Sequence, residues 1–252
     1  MKLQLLLNQQ FFILLCSVLL SSCKVDEYNP VFPADKQIAH RGYWTAGAAE
    51  NSLLAVQYAI DAGLYAAEID VYETIDGVMV VNHDLMYNGI EIINSTYEDI
   101  IKVAGNDSIA LPRLEDFLLM IENHPTFRLI IEIKSIHYID TLISLIEQYG
   151  MADQVEFISF SKVFCDMVIN CGAKYVVGYL GGDIDAKKLA EDGYAIINSS
   201  YDVYLAYPNV INEAKRYGLK VYTWTVNDAN MMATLYNMGI DRITTDRPRI
   251  RK

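Results

Sequence analysis

From Arg128 to Thr245 the chain repeats one pattern: a short apolar run rich in β-branched residues, a turn, then an amphipathic stretch of helical length. The pattern predicts strands over 128–134, 155–160, 174–179, 194–198, 220–226 and 241–245, with helices over 138–149, 162–170, 184–191, 208–217 and 228–238 between them. A strand that must run parallel to its predecessor needs such a crossover to return to the starting end. The chain is therefore committed to an α/β class with a parallel sheet.

Upstream, the residues predict a strand over 37–40, then a helix capped by Asn51 and running to Ala62, with Leu54, Val56, Ala59 and Ile60 on its buried side. A strand over 65–71 follows, then Thr74-Ile75-Asp76-Gly77, a hairpin signal, and a return arm over 78–83. If Asp76-Gly77 is a two-residue turn, Asp70 falls opposite His83. Thr96 is placed to cap a short helix, and a clearer helix spans 114–122. Removing the return arm leaves eight strands, which fits a single (β/α)8 TIM barrel with a β-hairpin near its active site. An open doubly wound sheet is the alternative, but no Gly-rich turn follows the first strand.

At 252 residues, 52% of them hydrophobic, the chain suits one large domain, here 37–252. A net charge of −12 argues against a nucleic-acid partner, which needs a basic face. The apolar run from Phe11 to Leu20 after Lys2 is too short to span a bilayer and reads as a signal peptide over 1–22. Leu20-Ser21-Ser22-Cys23 resembles a bacterial lipobox, which implies a lipid anchor on Cys23 and membrane contact through it. Lys24 favours the outer membrane of the cell envelope, and residues 23–36 read as a tether. Cys165 and Cys171 are six apart in one predicted helix, a rise of about 9 Å that a disulfide does not bridge.

Glu68 and Asp70 alternate on one strand and so face the same way, and Glu132 arrives from another. Three converging carboxylates repel by roughly 4 kcal/mol per pair at 4 Å and an effective dielectric near 20. A hard divalent cation, Ca²⁺ or Mg²⁺, would remove that cost. His40 and His83, each ending a strand beside acids, are the candidate acid and base. His124 and His137 sit in loop contexts without such neighbours. Arg41 and Lys134 add positive charge suited to phosphate oxygens, and they also balance the acids. The set describes phosphodiester hydrolysis better than acyl transfer, and neither G-x-S-x-G nor H-E-x-x-H is present.

These residues resemble the glycerophosphodiester phosphodiesterase family. H-R-G at 40–42, E-N-S at 50–52, E-I-D at 68–70, H-D at 83–84, L-P-R-L-E-D at 111–116, E-I-K at 132–134, W-T-V-N at 224–227 and T-T-D-R-P at 244–248 fall in the family's order. The resemblance implies catalytic roles for His40 and His83, a divalent ion on Glu68, Asp70 and Glu132, and phosphate binding by Arg41 and Lys134. It further implies that Glu50 supports the metal or His40, and that Trp224 lines a glycerol pocket. The expected reaction releases sn-glycerol 3-phosphate and an alcohol. Ala49 and Tyr87-Asn88-Gly89 depart from the family's usual residues, which bears on selectivity. Two other readings are a phospholipase-type enzyme acting on lysolipids or sphingolipids, and a surface lipoprotein that binds glycerophosphodiesters without cleaving them.

Overall fold

A computed structural model describes residues 30–104 and 111–250. The expected signal peptide, Cys23 and residues 24–29 of the tether lie outside the described residues. One compact unit begins at Val31. Phe32 packs its ring on Tyr236, and its N–H donates to Arg249 O at 2.7 Å. The last part of the expected tether is therefore packed against the barrel.

In chain order the elements are β1 (Gln37–Ala39), α1 (Leu53–Asp61), β2 (Ala66–Glu73), β3 (Met79–Val81), β4 (Met86–Tyr87), β5 (Ile90–Glu91), α2 (Tyr97–Ala104), α3 (Leu114–Ile121), β6 (Arg128–Ser135) and α4 (Ile139–Gln148). They continue as β7 (Val155–Ser159), α5 (Lys162–Cys171), β8 (Val176–Tyr179), α6 (Ala186–Glu191), β9 (Ile196–Ser200), α7 (Tyr201–Ala206), α8 (Asn209–Arg216), β10 (Lys220–Trp224), α9 (Ala229–Met238) and β11 (Arg242–Thr245). Eight strands pair in parallel in the order β1, β2, β6, β7, β8, β9, β10, β11, and β11 returns to β1. This is a closed (β/α)8 barrel, as the alternation implies. Several of its helices start where a side-chain oxygen meets the free N–H groups of the first turn. Ala55, Lys188 and Met231 N–H donate to Ser52 Oγ, Asp185 Oδ1 and Asp228 Oδ1 respectively.

Alternation along the barrel strands divides most of the apolar residues between two cores, and a smaller third cluster, with Tyr72, Val80, Ile92, Ile100 and Leu111, lies by the β2–β3 hairpin. One lies between the barrel and its helices, with Val56, Ile69, Phe117, Ile131, Phe157, Val221 and Leu235 among its members. The other fills the barrel itself, where Ile38, Ala66, Ile130, Ile158, Leu180, Ile196 and Tyr222 pack. Below them the buried Glu156 accepts from Tyr65 OH, and the Arg242 guanidinium lies 3.5 Å over the Tyr65 ring. The barrel is thus filled toward its N-terminal end, and the acids and histidines named from sequence lie toward its C-terminal end.

Three local expectations are corrected, and two elements are added. The β2–β3 hairpin pairs Glu73 with Met79 and Val71 with Val81, one residue out of the expected register. Its loop has three residues, Ile75-Asp76-Gly77, with Gly77 at φ +81°, so Asn82 and not His83 stands opposite Asp70. Thr74 fixes this register: its Oγ1 accepts from Val78 N–H and donates to Asp76 Oδ1. Ser52, not Asn51, caps α1, because Asn51 sits at φ +55° with its side chain turned into the barrel. Leu54 is exposed, and Ala55 takes its expected place in the core. The β4–β5 ribbon, turned by Asn88 and Gly89 at positive φ, and the short α7 were not foreseen. Cys165 and Cys171 are free thiols, as expected. No described helix is long and apolar enough to cross a membrane.

Candidate active site

The strand ends converge on a cavity of about 250 Å³ lined by His40, Arg41, Glu68, Asp70, His83, Glu132, Lys134 and Trp224, along with Ile158, Phe160, Leu180 and Asn198. Eight of the nine site residues expected from sequence are in that lining; Glu50 is not. Register explains the acid cluster. Asp70 on β2 pairs directly with Glu132 on β6, and Glu68 is two residues back on the same face. One ligand atom from each of the three lies within 4.8 Å of the others.

These carboxylates are held at a cost. Burial, then the charges of Asp70 and Glu132, push the Glu68 carboxyl well above the usual carboxylate range. Burial and Asp70 likewise raise Glu132. Lys134 Nζ reaches Glu132 at 2.9 Å and Asp70 at 3.4 Å, and so offsets part of the repulsion. Its own pKa is raised, because these acids outweigh the burial that opposes its charge. Glu68 is less well served. Its Oε2 accepts from the Arg41 backbone N–H at 2.9 Å, while Oε1 is buried with no hydrogen-bond partner among the described residues. A buried, unpartnered carboxylate oxygen facing two more carboxylates is the donor set a hard cation takes. The residues fit such an ion.

Several partners of the site were not assigned a role from sequence. Asn51 locks Asp70 in place: Nδ2 donates to Asp70 Oδ2 at 2.8 Å, and Oδ1 accepts from Asp70 N–H at 3.1 Å. Asp246, just past β11, bonds His40 Nδ1 at 2.7 Å. Asn227 Nδ2 donates to the second Asp246 oxygen at 2.7 Å, and Trp44 Nε1 donates to the first at 3.3 Å. Burial opposes the Asp246 charge, yet the bonds from His40, Asn227 and Trp44 outweigh it and hold the group at about 2. Both residues sat inside quoted motifs, E-N-S and T-T-D-R-P. What was lacking was the pairing across the barrel.

Glu50 holds neither the acid cluster nor His40. Its Oε2 accepts from Arg41 Nη1 at 2.6 Å, which aims the guanidinium, and Arg41 Nε comes within 3.6 Å of Asp70. Arg41 adopts φ +53°, a left-handed conformation that is strained for a side chain of this size and is held here by the turn into Gly42. His83 follows the short β3, with Nδ1 bonded to the exposed Asp84 at 2.7 Å and its carbonyl accepting from Tyr72 OH at 3.3 Å. His137 and His124 lie outside this lining.

The sequence matches the model of the glycerophosphoryl diester phosphodiesterase family over residues 40–250. The chain belongs to that family. Its members' activity makes it a phosphodiester-cleaving enzyme. Among curated relatives, a probable glycerophosphodiester phosphodiesterase 2 of Mycobacterium tuberculosis is 27% identical over 231 residues, covering 83% of this chain and 86% of the relative. A glycerophosphodiester phosphodiesterase crystal structure from Parabacteroides distasonis superposes with a TM-score of 0.79 at 34% identity, covering 84% of this chain and 93% of that one. An Oleispira antarctica phosphodiesterase, solved with the product sn-glycerol 3-phosphate, shares the fold at TM-score 0.72 and 21% identity, with 85% and 94% covered.

Proposed function

We propose that the enzyme hydrolyses glycerophosphodiesters to sn-glycerol 3-phosphate and an alcohol with the help of one divalent cation, Ca²⁺ or Mg²⁺. The observation that carries the reading is the meeting of His40, His83, Arg41 and Lys134 around the Glu68, Asp70 and Glu132 cluster in a single cavity. Glu68, Asp70 and Glu132 would hold the cation. Once bound, it supplies positive charge against the phosphodiester and its developing oxyanion.

The chain's own residues account for the remaining steps. Arg41, aimed by Glu50, and Lys134 hold non-bridging phosphate oxygens. His40 is the base. An ionised Asp246 on Nδ1 fixes its tautomer, leaves Nε2 to take the proton of the attacking hydroxyl, and stabilises the imidazolium that forms. His83 is the acid and protonates the departing alkoxide, with its ring oriented by Asp84 on Nδ1. The asymmetry between a carboxylate held by three partners and an exposed one distinguishes the two roles. The product in the Oleispira neighbour agrees with the expected product class.

The proposed location is the bacterial cell envelope, through an export signal and a lipid anchor on Cys23. The function is tested by measuring glycerol 3-phosphate release from glycerophosphocholine with chelator, then with Ca²⁺ or Mg²⁺ added back. Release that stops with chelator and returns with one ion supports the reading, and full activity in chelator refutes the metal's part. Faster turnover of lysophosphatidylcholine would favour the phospholipase reading, and substrate binding without product would favour the binding-protein reading.

A further inference from the structure

One wall of the cavity differs in chemistry from the rest. Running round the barrel mouth from Glu132, whose register partner is Ile158, the ends of β7, β8 and β10 contribute Ile158, Phe160, Leu180 and Trp224, and among these apolar groups β9 places a single amide, Asn198. Asn198 is 2% exposed, and its Oδ1 has no hydrogen-bond partner among the described residues. Trp224 Nε1 is likewise buried with no hydrogen-bond partner among the described residues. Asn198 pairs with Tyr222 across β9 and β10, so Trp224, two residues on, is its diagonal neighbour on the same inward face. An unmatched acceptor and an unmatched donor are therefore carried by neighbouring residues in the lining of the site, and are not bonded to each other.

A buried polar atom left unpaired costs about 1–3 kcal/mol, so two on one wall call for a ligand group that satisfies both. A hydroxyl does so, since it donates to Asn198 Oδ1 and accepts from Trp224 Nε1. A quaternary ammonium has neither function to offer, and a primary ammonium offers only the donor. The Trp224 ring meets Phe160 edge to face at 5.4 Å, which fixes the indole and gives the carbon side of a polyol an apolar surface.

We propose that Asn198 and Trp224 form the leaving-group subsite, in place of the pocket for the common glycerol arm that the resemblance implies for Trp224, and select glycerophosphodiesters whose second alcohol is a polyol. The proposal rests on the phosphodiesterase reading above. A diester held by Arg41 and Lys134 has two alcohol arms. One lies over the acids of β2 and β6, and the other crosses the barrel mouth to β9 and β10. The glycerol arm is common to every substrate of the class, so discrimination must act on the other arm.

The test is the ratio of kcat/KM for glycerophosphoglycerol over glycerophosphocholine, measured for wild type, Asn198→Leu and Trp224→Phe with the divalent cation present. Wild type is expected to favour the polyol by about tenfold or more, because a site built for a hydroxyl penalises an analogue that lacks it. Each variant is expected to bring that ratio down toward one. A ratio unchanged by both substitutions, or absolute rates that fall equally for the two substrates, overturns the assignment. So does a wild-type preference for choline. Should Asn198→Leu fail to fold, Trp224→Phe keeps the ring and still answers the question. Absence of turnover on any diester would count against the enzyme reading and not against this subsite. In that case calorimetric binding of the same two diesters decides: tighter binding of glycerophosphoglycerol supports the subsite, and equal or reversed affinity overturns it.

Discussion

Substituting Glu68→Gln separates the acid cluster's stability cost from its use. In the metal-free protein the Glu68 carboxyl is raised by burial, Asp70 and Glu132. At a separation of 4.8 Å or less and an effective dielectric of about 20, each charged pair in the cluster repels by about 3.5 kcal/mol or more. A folded pKa above the unfolded value means the native state binds the extra proton. The associated stability is therefore fully present below the unfolded pKa of about 4.3 and is lost as pH rises through the raised folded value. The metal-free wild type should melt at progressively lower temperature from mildly acidic to neutral pH. Glu68→Gln should flatten that slope and match or exceed wild type at pH 8. A cation at a hundred times its Kd stabilises the wild type by about 2.7 kcal/mol, or about 5–10 °C in a domain of this size. The variant should lose most of that shift. Thermal melting at pH 5 and 8, with chelator or with Ca²⁺ or Mg²⁺, reads both effects. The reasoning is refuted if wild type shows no cation shift at pH 8, or if Glu68→Gln keeps the whole of it.

Asp246→Asn should lower kcat by on the order of 10²-fold or more with little change in KM, because it disturbs His40 and not substrate contacts. Since Asp246 is held at about 2, it stays ionised above pH 4 and loses its bond with His40 only as pH falls through that low value, so the acid limb of a pH–rate profile should belong to other groups. Asn51→Leu should cost about 1.5–3 kcal/mol in denaturant unfolding, the worth of hydrogen bonds to a buried carboxylate, and should weaken cation binding in calorimetry. Gly42→Ala should abolish activity and lower the melting temperature, since an added Cβ would stand 2.6 Å from Ala55 Cβ at a residue with φ +78°. His83→Ala should be rescued in steady-state kinetics by an aryl leaving group that needs no proton, whereas His40→Ala should not.

The barrel was legible because period-two and helical patterns alternate without interruption from Arg128 onward, and right-handed crossovers then leave few topologies. The acids were legible for a similar reason, since E-I-D and E-I-K each put their charges on one strand face. Interactions set by a single loop residue were not. The hairpin register turned on the Thr74 hydroxyl and the left-handed Gly77, and a three-residue loop and a two-residue one share the same Asp-Gly signal. Asn51 looked like a helix cap because local sequence offers Asn that role, but a carboxylate nineteen residues away outcompetes it. Asp246 is 206 residues from His40 and becomes its neighbour only when β11 closes on β1. Asn198, in a strand otherwise destined for the core, carries no local mark at all.

The central claim is that His40 and His83 carry out diester cleavage over the acid cluster. Glycerol 3-phosphate release from glycerophosphoglycerol, measured side by side for wild type, His40→Ala and His83→Ala with divalent cation present, tests it most directly. The account predicts release by wild type and a loss on the order of 10²–10⁴-fold in each variant, with melting temperatures retained. Release by either variant at the wild-type rate would contradict it.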